Sequence, residues 1–215
     1  MGKLKDRMLE LMTIRNYSKK TIQAYVSHIT AYTRYFGKSP AEMGEEEMRK
    51  YLFYLKDEKR TSWSNINVAY NALKYFSEKV LDRDFELAKI PRPRGQWKLP
   101  EVLSESEVKM ILAAVENIKH QVMLMGAYSA GLRLSEVTHL KVSDIDSERN
   151  LIRVSQGKGQ KDRYTILSQV YLLKLKTYWD IHRPTTWLFP GTNKSKRISE
   201  STIQKVFTTA KKKLA

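Results

Sequence analysis

The segment Gly131-Leu132-Arg133-Leu134-Ser135-Glu136-Val137 holds residue types at a spacing that suits anion chemistry. An arginine just past a helix-ending glycine sits on a tight turn, and a guanidinium held there can grip a phosphate through two hydrogen bonds. Glu136, three residues on, can orient that guanidinium or its neighbours. The same residues also fit a surface ion pair with no further role. A second candidate is Lys158, which lies between Gly157 and Gly159. Glycines on both sides leave the backbone free to project an ammonium into a groove, where it can protonate a leaving oxygen in phosphoryl transfer. Gly-Lys-Gly is equally a solvated turn.

The elements around these residues follow from caps and periodicity. Ser104 and Glu107 form a capping box ahead of Val108, Ile111, Leu112 and Val115. A helix from about Lys119 through Leu124 and Tyr128 ends at Gly131, where glycine permits a left-handed residue. A short helix over Ser135 to Leu140 follows. Strands are expected at Leu151 to Ser155 and Arg163 to Leu167, with Gly157 to Asp162 as the hairpin loop that carries Lys158. Two more helices are expected, over Gln169 to Ile181 and from Ser199 through Ile203, Val206, Phe207 and Ala210 to Lys211-Lys212-Lys213.

Residues upstream of about 88 read as helical throughout. A first helix spans Leu4 to Ile14. Ser18 caps a second, whose Ile22, Tyr25, Val26, Ile29, Tyr32 and Phe36 recur at helical spacing until Gly37. Met48, Tyr51, Leu52 and Leu55 form a third behind the acidic run Glu45 to Glu47, which suits a helix N-terminus. Ser62 or Ser64 opens a fourth, with Ile66, Ala69, Tyr70, Leu73, Phe76 and Val80 on one face. The aromatic stripes read as core. Residues 89–103 hold Pro91, Pro93, Gly95 and Pro100 among Lys89, Arg92, Arg94 and Lys98, a basic linker rather than a helix. The chain thus divides into a helical domain (1–88), the linker (89–103) and a mixed, mostly helical domain with a small β-hairpin (104–215).

Composition narrows the function. The 215 residues carry 39 Lys and Arg against 23 Asp and Glu, a formal charge of +16, and no cysteine. Without cysteine there is no disulfide framework, Cys-ligated zinc or thiol nucleophile. No apolar run approaches the roughly 18–20 residues needed to span a bilayer, and the charged N-terminus has no apolar stretch behind it, so a cytoplasmic protein is expected. The charge asks for a polyanionic partner. Residues 1–100 hold 20 basic and 12 acidic side chains and residues 101–215 hold 19 and 11, so both halves carry the same excess. A duplex suits this better than a membrane, because the basic residues are mixed with Tyr, Trp, Asn, Ser and Thr. Lys19, Lys20, Asn65, Asn67 and Lys74 lie on polar helix faces, and Arg92, Arg94 and Lys161 add charge in the linker and hairpin.

Taken in order, these motifs resemble the tyrosine recombinase (phage integrase) family, especially its Xer-like and integron-integrase-like members. The resemblance covers essentially the whole chain. It rests on Asn16 to Tyr25, Tyr35-Phe36-Gly37-Lys38, Leu99 to Ser104, Gly131 to Val137 and Gly157 to Arg163. It implies a SAM-like, four-helix core-binding domain and a catalytic domain that clamp double-stranded DNA, and tetrameric assembly of the complete recombinase. Arg133 then matches the arginine on the scissile phosphate, Glu136 a supporting acid and Lys158 the hairpin lysine near the leaving 5′ oxygen. No metal or other cofactor is implied, because arginines supply the positive charge. A tyrosine attacks the phosphate and keeps the bond energy in a 3′-phosphotyrosine.

One part of the pattern is missing. The family has His-x-x-Arg, then a His or Trp, then the nucleophilic Tyr. The four histidines here are followed three residues later by Ala31, Met123, Val142 and Thr185. Tyr128, Tyr164, Tyr171 and Tyr178 fit helix or strand faces and precede the place of that segment, as do Trp179 and Trp187. The expectation is therefore the N-terminal part of a recombinase, with a DNA clamp and half an active site but no nucleophile. The alternatives are a natural short regulator that occupies recombination sites without catalysis, and a general nucleic-acid-binding protein.

Overall fold

Two compact units, Met1–Leu99 and Pro100–Ala215, make up the chain. The computed structural model describes residues 2–83, 99–155 and 162–214. Linker residues 89–98 and the hairpin tip with Lys158 and Lys161 lie outside the described residues, as do Arg92 and Arg94. Residues 99–104 have no regular structure.

The first unit contains α1 (Gly2–Ile14), α2 (Lys19–Phe36), α3 (Glu45–Asp57) and α4 (Trp63–Tyr75). Each boundary has a local cause. The Ser18 hydroxyl accepts the Thr21 N–H at 3.1 Å and starts α2, while Gly37, at φ 64°, takes the left-handed turn that stops it. Glu47 reaches back to accept the Gly44 N–H at 2.8 Å at the head of α3, whose first turn is acidic. Ser62, not Ser64, caps α4. The apolar faces meet in one core that includes Met12, Ile29, Tyr32, Met48, Tyr51, Leu55, Ala69 and Leu73. Tyr32 and Tyr51 pack edge-on at 5.3 Å inside it, so the aromatic stripe is core. Burying each such large side chain contributes roughly 1.5–3 kcal/mol. After Tyr75 the helix widens into a π-turn over Phe76–Val80, where the Leu81 N–H reaches the Phe76 carbonyl at 3.0 Å. The apolar spacing predicts one unbroken helix to Val80, whereas the regular α-helix ends at Tyr75.

The second unit opens with α5 (Glu105–Ala113), set by reciprocal bonds between Ser104 and Glu107. Then come α6 (Ile118–Ser129), α7 (Leu134–His139) and a 3-10 turn over Val142–Asp144. Three strands follow: β1 (Ile145–Asp146), β2 (Leu151–Val154) and β3 (Arg163–Ile166). They form an antiparallel sheet in the order β1-β2-β3, with Ile145 opposite Ile152 and Arg153 opposite Tyr164. β1 is the strand the periodicity did not reveal. Helices α8 (Gln169–His182) and α9 (Glu200–Lys213) start at Ser168 and Ser199, each by a hydroxyl that accepts an N–H three residues on. Val122, Met123, Val137, Ile152, Leu167, Tyr171 and Phe189 are among the residues that bind α6, α7, the sheet and α8 into one core. The chain is mainly α with a small sheet, as the sequence implied.

Candidate functional site

The turn between α6 and α7 is built so that its arginine cannot drift. Ala130 ends α6 and Gly131 follows at φ 60°, a conformation that strains any side chain with a Cβ. Arg133 then stands in extended backbone immediately before α7. Its own N–H donates to Glu136 Oε2 at 2.8 Å, as in a capping box, and its Nη1 donates to Glu136 Oε1 at 2.8 Å. The sequence allows Glu136 to orient this guanidinium or a neighbouring group, and Glu136 accepts from both Arg133 Nη1 and the Arg133 backbone. Half of the Arg133 side chain faces solvent, whereas the Glu136 side chain is 4% exposed.

A buried carboxylate requires compensating charge and hydrogen bonds. Glu136 obtains them from a residue whose sequence position marks only the start of a strand. Arg163, the first residue of β3, donates to Glu136 Oε1 at 2.7 Å through Nη1 and to Oε2 at 3.0 Å through Nη2. This two-pronged bond is the largest cause holding the Glu136 carboxyl down at about 2, and the Arg133 backbone and side-chain donors add to it. The same contact raises the Arg163 guanidinium. Thr165, two residues along the strand, donates its hydroxyl to the Ala130 carbonyl at 2.8 Å. The strand that leads out of the hairpin is thereby tied to the turn that carries Arg133. Position alone offered one clue: Arg163 closes the basic hairpin segment.

A similar device recurs nearby. Asp144, also buried, accepts the Lys141 N–H at 2.8 Å and the Arg153 Nε at 3.2 Å. It fixes the 3-10 turn against β2, so that the sheet carrying Arg163 has a rigid inner strand.

The other expected contacts belong to the first unit. Lys19 and Lys20 open α2 with exposed side chains. Asn67 and Lys74, seven residues apart, share one side of α4. Asn65 lies about 200° round the helix from Asn67 and so points the other way. The three do not form a single face. Asn65 hydrogen-bonds the His28 side chain on α2, and burial of that imidazole lowers its pKa. The Lys74 ammonium sits 3.7 Å from Glu78, which offsets part of its charge. Among the described residues, no group of three or more His, Asp or Glu could hold a metal ion. No helix among them is long and apolar enough to cross a membrane.

Residues 4–87 match the model of the phage integrase N-terminal SAM-like domain, and residues 101–215 match that of the phage integrase family. The chain belongs to the phage integrase family of tyrosine recombinases. A Sinorhizobium fredii relative named as an integrase/recombinase is 44% identical over 192 residues, which make up 89% of this chain and 62% of that protein. The tyrosine recombinase XerA of Pyrococcus horikoshii is 31% identical over 181 residues, 81% of this chain and 63% of that one. The chain thus spans less than two thirds of the length of these recombinases. Among solved structures, a lambda integrase dimer bound to a COC′ core site is similar with a TM-score of 0.77 and 19% identity, covering 99% of this chain and 77% of that one. The Tn1549 transposon integrase in complex with circular intermediate DNA is similar with a TM-score of 0.69 and 16% identity, over 98% and 78% of the two chains. These two likenesses are of fold.

Proposed function

We propose that this protein serves site-specific DNA recombination as a DNA-binding tyrosine recombinase, and that Arg133 grips the scissile phosphate. The observation that carries this reading is the buried Glu136 with two guanidinium groups on it: one carboxylate against two cations leaves one positive charge at the surface, in a rigid turn, with donors to spare. In this role Lys158 supplies the proton to the leaving 5′ oxygen, and Glu136 supports Arg133. Lys19, Lys20, Asn67 and Lys74 of residues 1–88, with Arg92 and Arg94 in the linker and Lys161 in the hairpin, hold the duplex backbone, while Asn65, turned toward His28, has no direct part in it. The basic excess shared by both halves suits such a division of labour. The partner is double-stranded DNA in the cytoplasm, and the complete recombinase assembles as an oligomer on it, in line with relatives solved as dimers and tetramers on DNA.

Cleavage requires more than these residues supply. The 215 residues contain no His-x-x-Arg, and the tyrosines after Arg133 lie in strand and helix positions. Tyr171 and Tyr178 are fully buried. As a polypeptide of these residues, the protein binds a duplex and forms no phosphotyrosine. Nicked suicide duplexes test this directly: the expected result is a salt-sensitive complex with no adduct surviving denaturing electrophoresis. A covalent adduct would overturn the statement about the nucleophile, and absence of any complex would overturn the DNA reading.

A further inference from the structure

We propose that Arg163 is a positioning residue: by occupying half of the acceptor capacity of Glu136, it keeps the guanidinium of Arg133 available to a phosphate. The proposal rests on the reading of Arg133 as a phosphate-binding group. It is carried by counting acceptors. A carboxylate offers about four lone-pair positions on its two oxygens. At Glu136 four donors fill them: Arg133 N at 2.8 Å and Arg163 Nη2 at 3.0 Å on Oε2, Arg133 Nη1 at 2.8 Å and Arg163 Nη1 at 2.7 Å on Oε1. Arg163 therefore takes two of the four, and the Arg133 side chain makes one bond to Glu136 out of its five possible donors.

Without the fork of Arg163, two acceptor positions of a nearly inaccessible carboxylate stand empty, which is costly. The nearest group able to fill them is the Arg133 guanidinium, already bonded through Nη1. It turns onto Glu136 in the two-pronged geometry that arginine and carboxylate prefer, which commits a second of its five donors and the orientation of its plane to Glu136 rather than to a phosphate. The local charge falls at the same time, from one carboxylate shared by two guanidinium groups to an ion pair of zero net charge. Arg163 also reaches the Gly131 carbonyl at 3.5 Å, and Thr165 holds Ala130, so the contact fixes the backbone from which Arg133 projects.

Arg163 is 37% exposed at its side chain, so it has a rival role as a phosphate contact in its own right. A double-mutant cycle separates the two roles. Duplex affinity is measured for the wild type, Arg163→Met, Arg133→Ala and the double variant, with circular dichroism to confirm folding. Arg163→Met is expected to weaken binding about tenfold in the wild-type background, the lower end of what one charged hydrogen bond contributes, and less than twofold when Arg133 is already alanine. Equal loss in both backgrounds makes Arg163 an independent contact and overturns the proposal. Arg163→Lys, which keeps the charge but not the fork, is expected to fall between wild type and methionine. The same cycle is run with lysine if the methionine variant unfolds. Should the wild type bind no duplex, the DNA reading fails and the guanidinium 15N spectrum of the free protein decides the matter. Slowed rotation of the Arg133 terminal nitrogens in Arg163→Met supports the proposal, and an unchanged spectrum overturns it.

Discussion

Gly126 on α6 faces the phenol ring of Tyr171 on α8 so closely that a Cβ built on the glycine would lie 2.8 Å from Tyr171 Cζ. The two helices touch at the one position where α6 has no side chain. Gly126→Ala improves helix propensity by up to about 1 kcal/mol, but forcing an atom into a filled core costs typically 1–3 kcal/mol. Tyr171 is fully buried in a core that also holds Leu172 and Leu175, so the ring can yield only if that core repacks. Net destabilisation of about 1–2 kcal/mol is expected, read as a lower midpoint in urea.

The opposite sign is expected of Tyr171→Phe. The Tyr171 hydroxyl is buried with no hydrogen-bond partner among the described residues, and burial raises its pKa. A buried hydroxyl without a partner carries an uncompensated desolvation cost. Removing it should raise stability by about 1 kcal/mol, or leave it unchanged where the core closes imperfectly. A loss larger than that in calorimetry would mean the hydroxyl has found a partner.

Glu136 should dominate the acid limb of stability. Its carboxyl is depressed from 4.5 to about 2, chiefly by the Arg163 bonds. The contribution is therefore fully present above about pH 4.5 and fades as pH falls toward 2, with a ceiling on the order of 3 kcal/mol. Glu136→Gln removes that slope: the stability difference between wild type and variant should shrink steadily from pH 5 to pH 2.5. A difference that does not change with pH would assign the effect to packing alone.

How much of this was legible in the chain depended on range. Ser18, Gly37, Ser104, Gly131 and Ser199 act within four residues of their own position, and each marks the boundary it was expected to mark. β1 escaped because two residues carry no periodicity; Ile145 and Asp146 become a strand only by pairing with β2. The π-turn at Phe76–Val80 escaped because its apolar spacing also suits an ordinary helix. Arg133 and Glu136 could be paired by their three-residue separation. Arg163 could not, since its carboxylate lies 27 residues away and the partnership exists only once β3 has docked.

Arg133→Ala tests the electrostatic share of binding. One phosphate contact fewer should reduce the slope of log affinity against log salt by about 1 and weaken binding to all duplex sequences alike. Duplex titrations at a series of salt concentrations give the slope. An unchanged slope with reduced affinity would show that Arg133 acts through the fold instead.

The span from Arg133 to Arg163 also governs how this surface comes into being. Glu136 is satisfied only when α7 and β3 have met, which requires closing an intervening loop before any contact repays the lost chain entropy. The cation cluster is thus not inherited from a preformed helix. It exists only while β3 is docked against α7, and it is lost whenever the hairpin's outer strand opens. Amide exchange at Thr165 and at Val137 should therefore follow a common opening event, and a nascent chain still lacking β3 presents no assembled anion site.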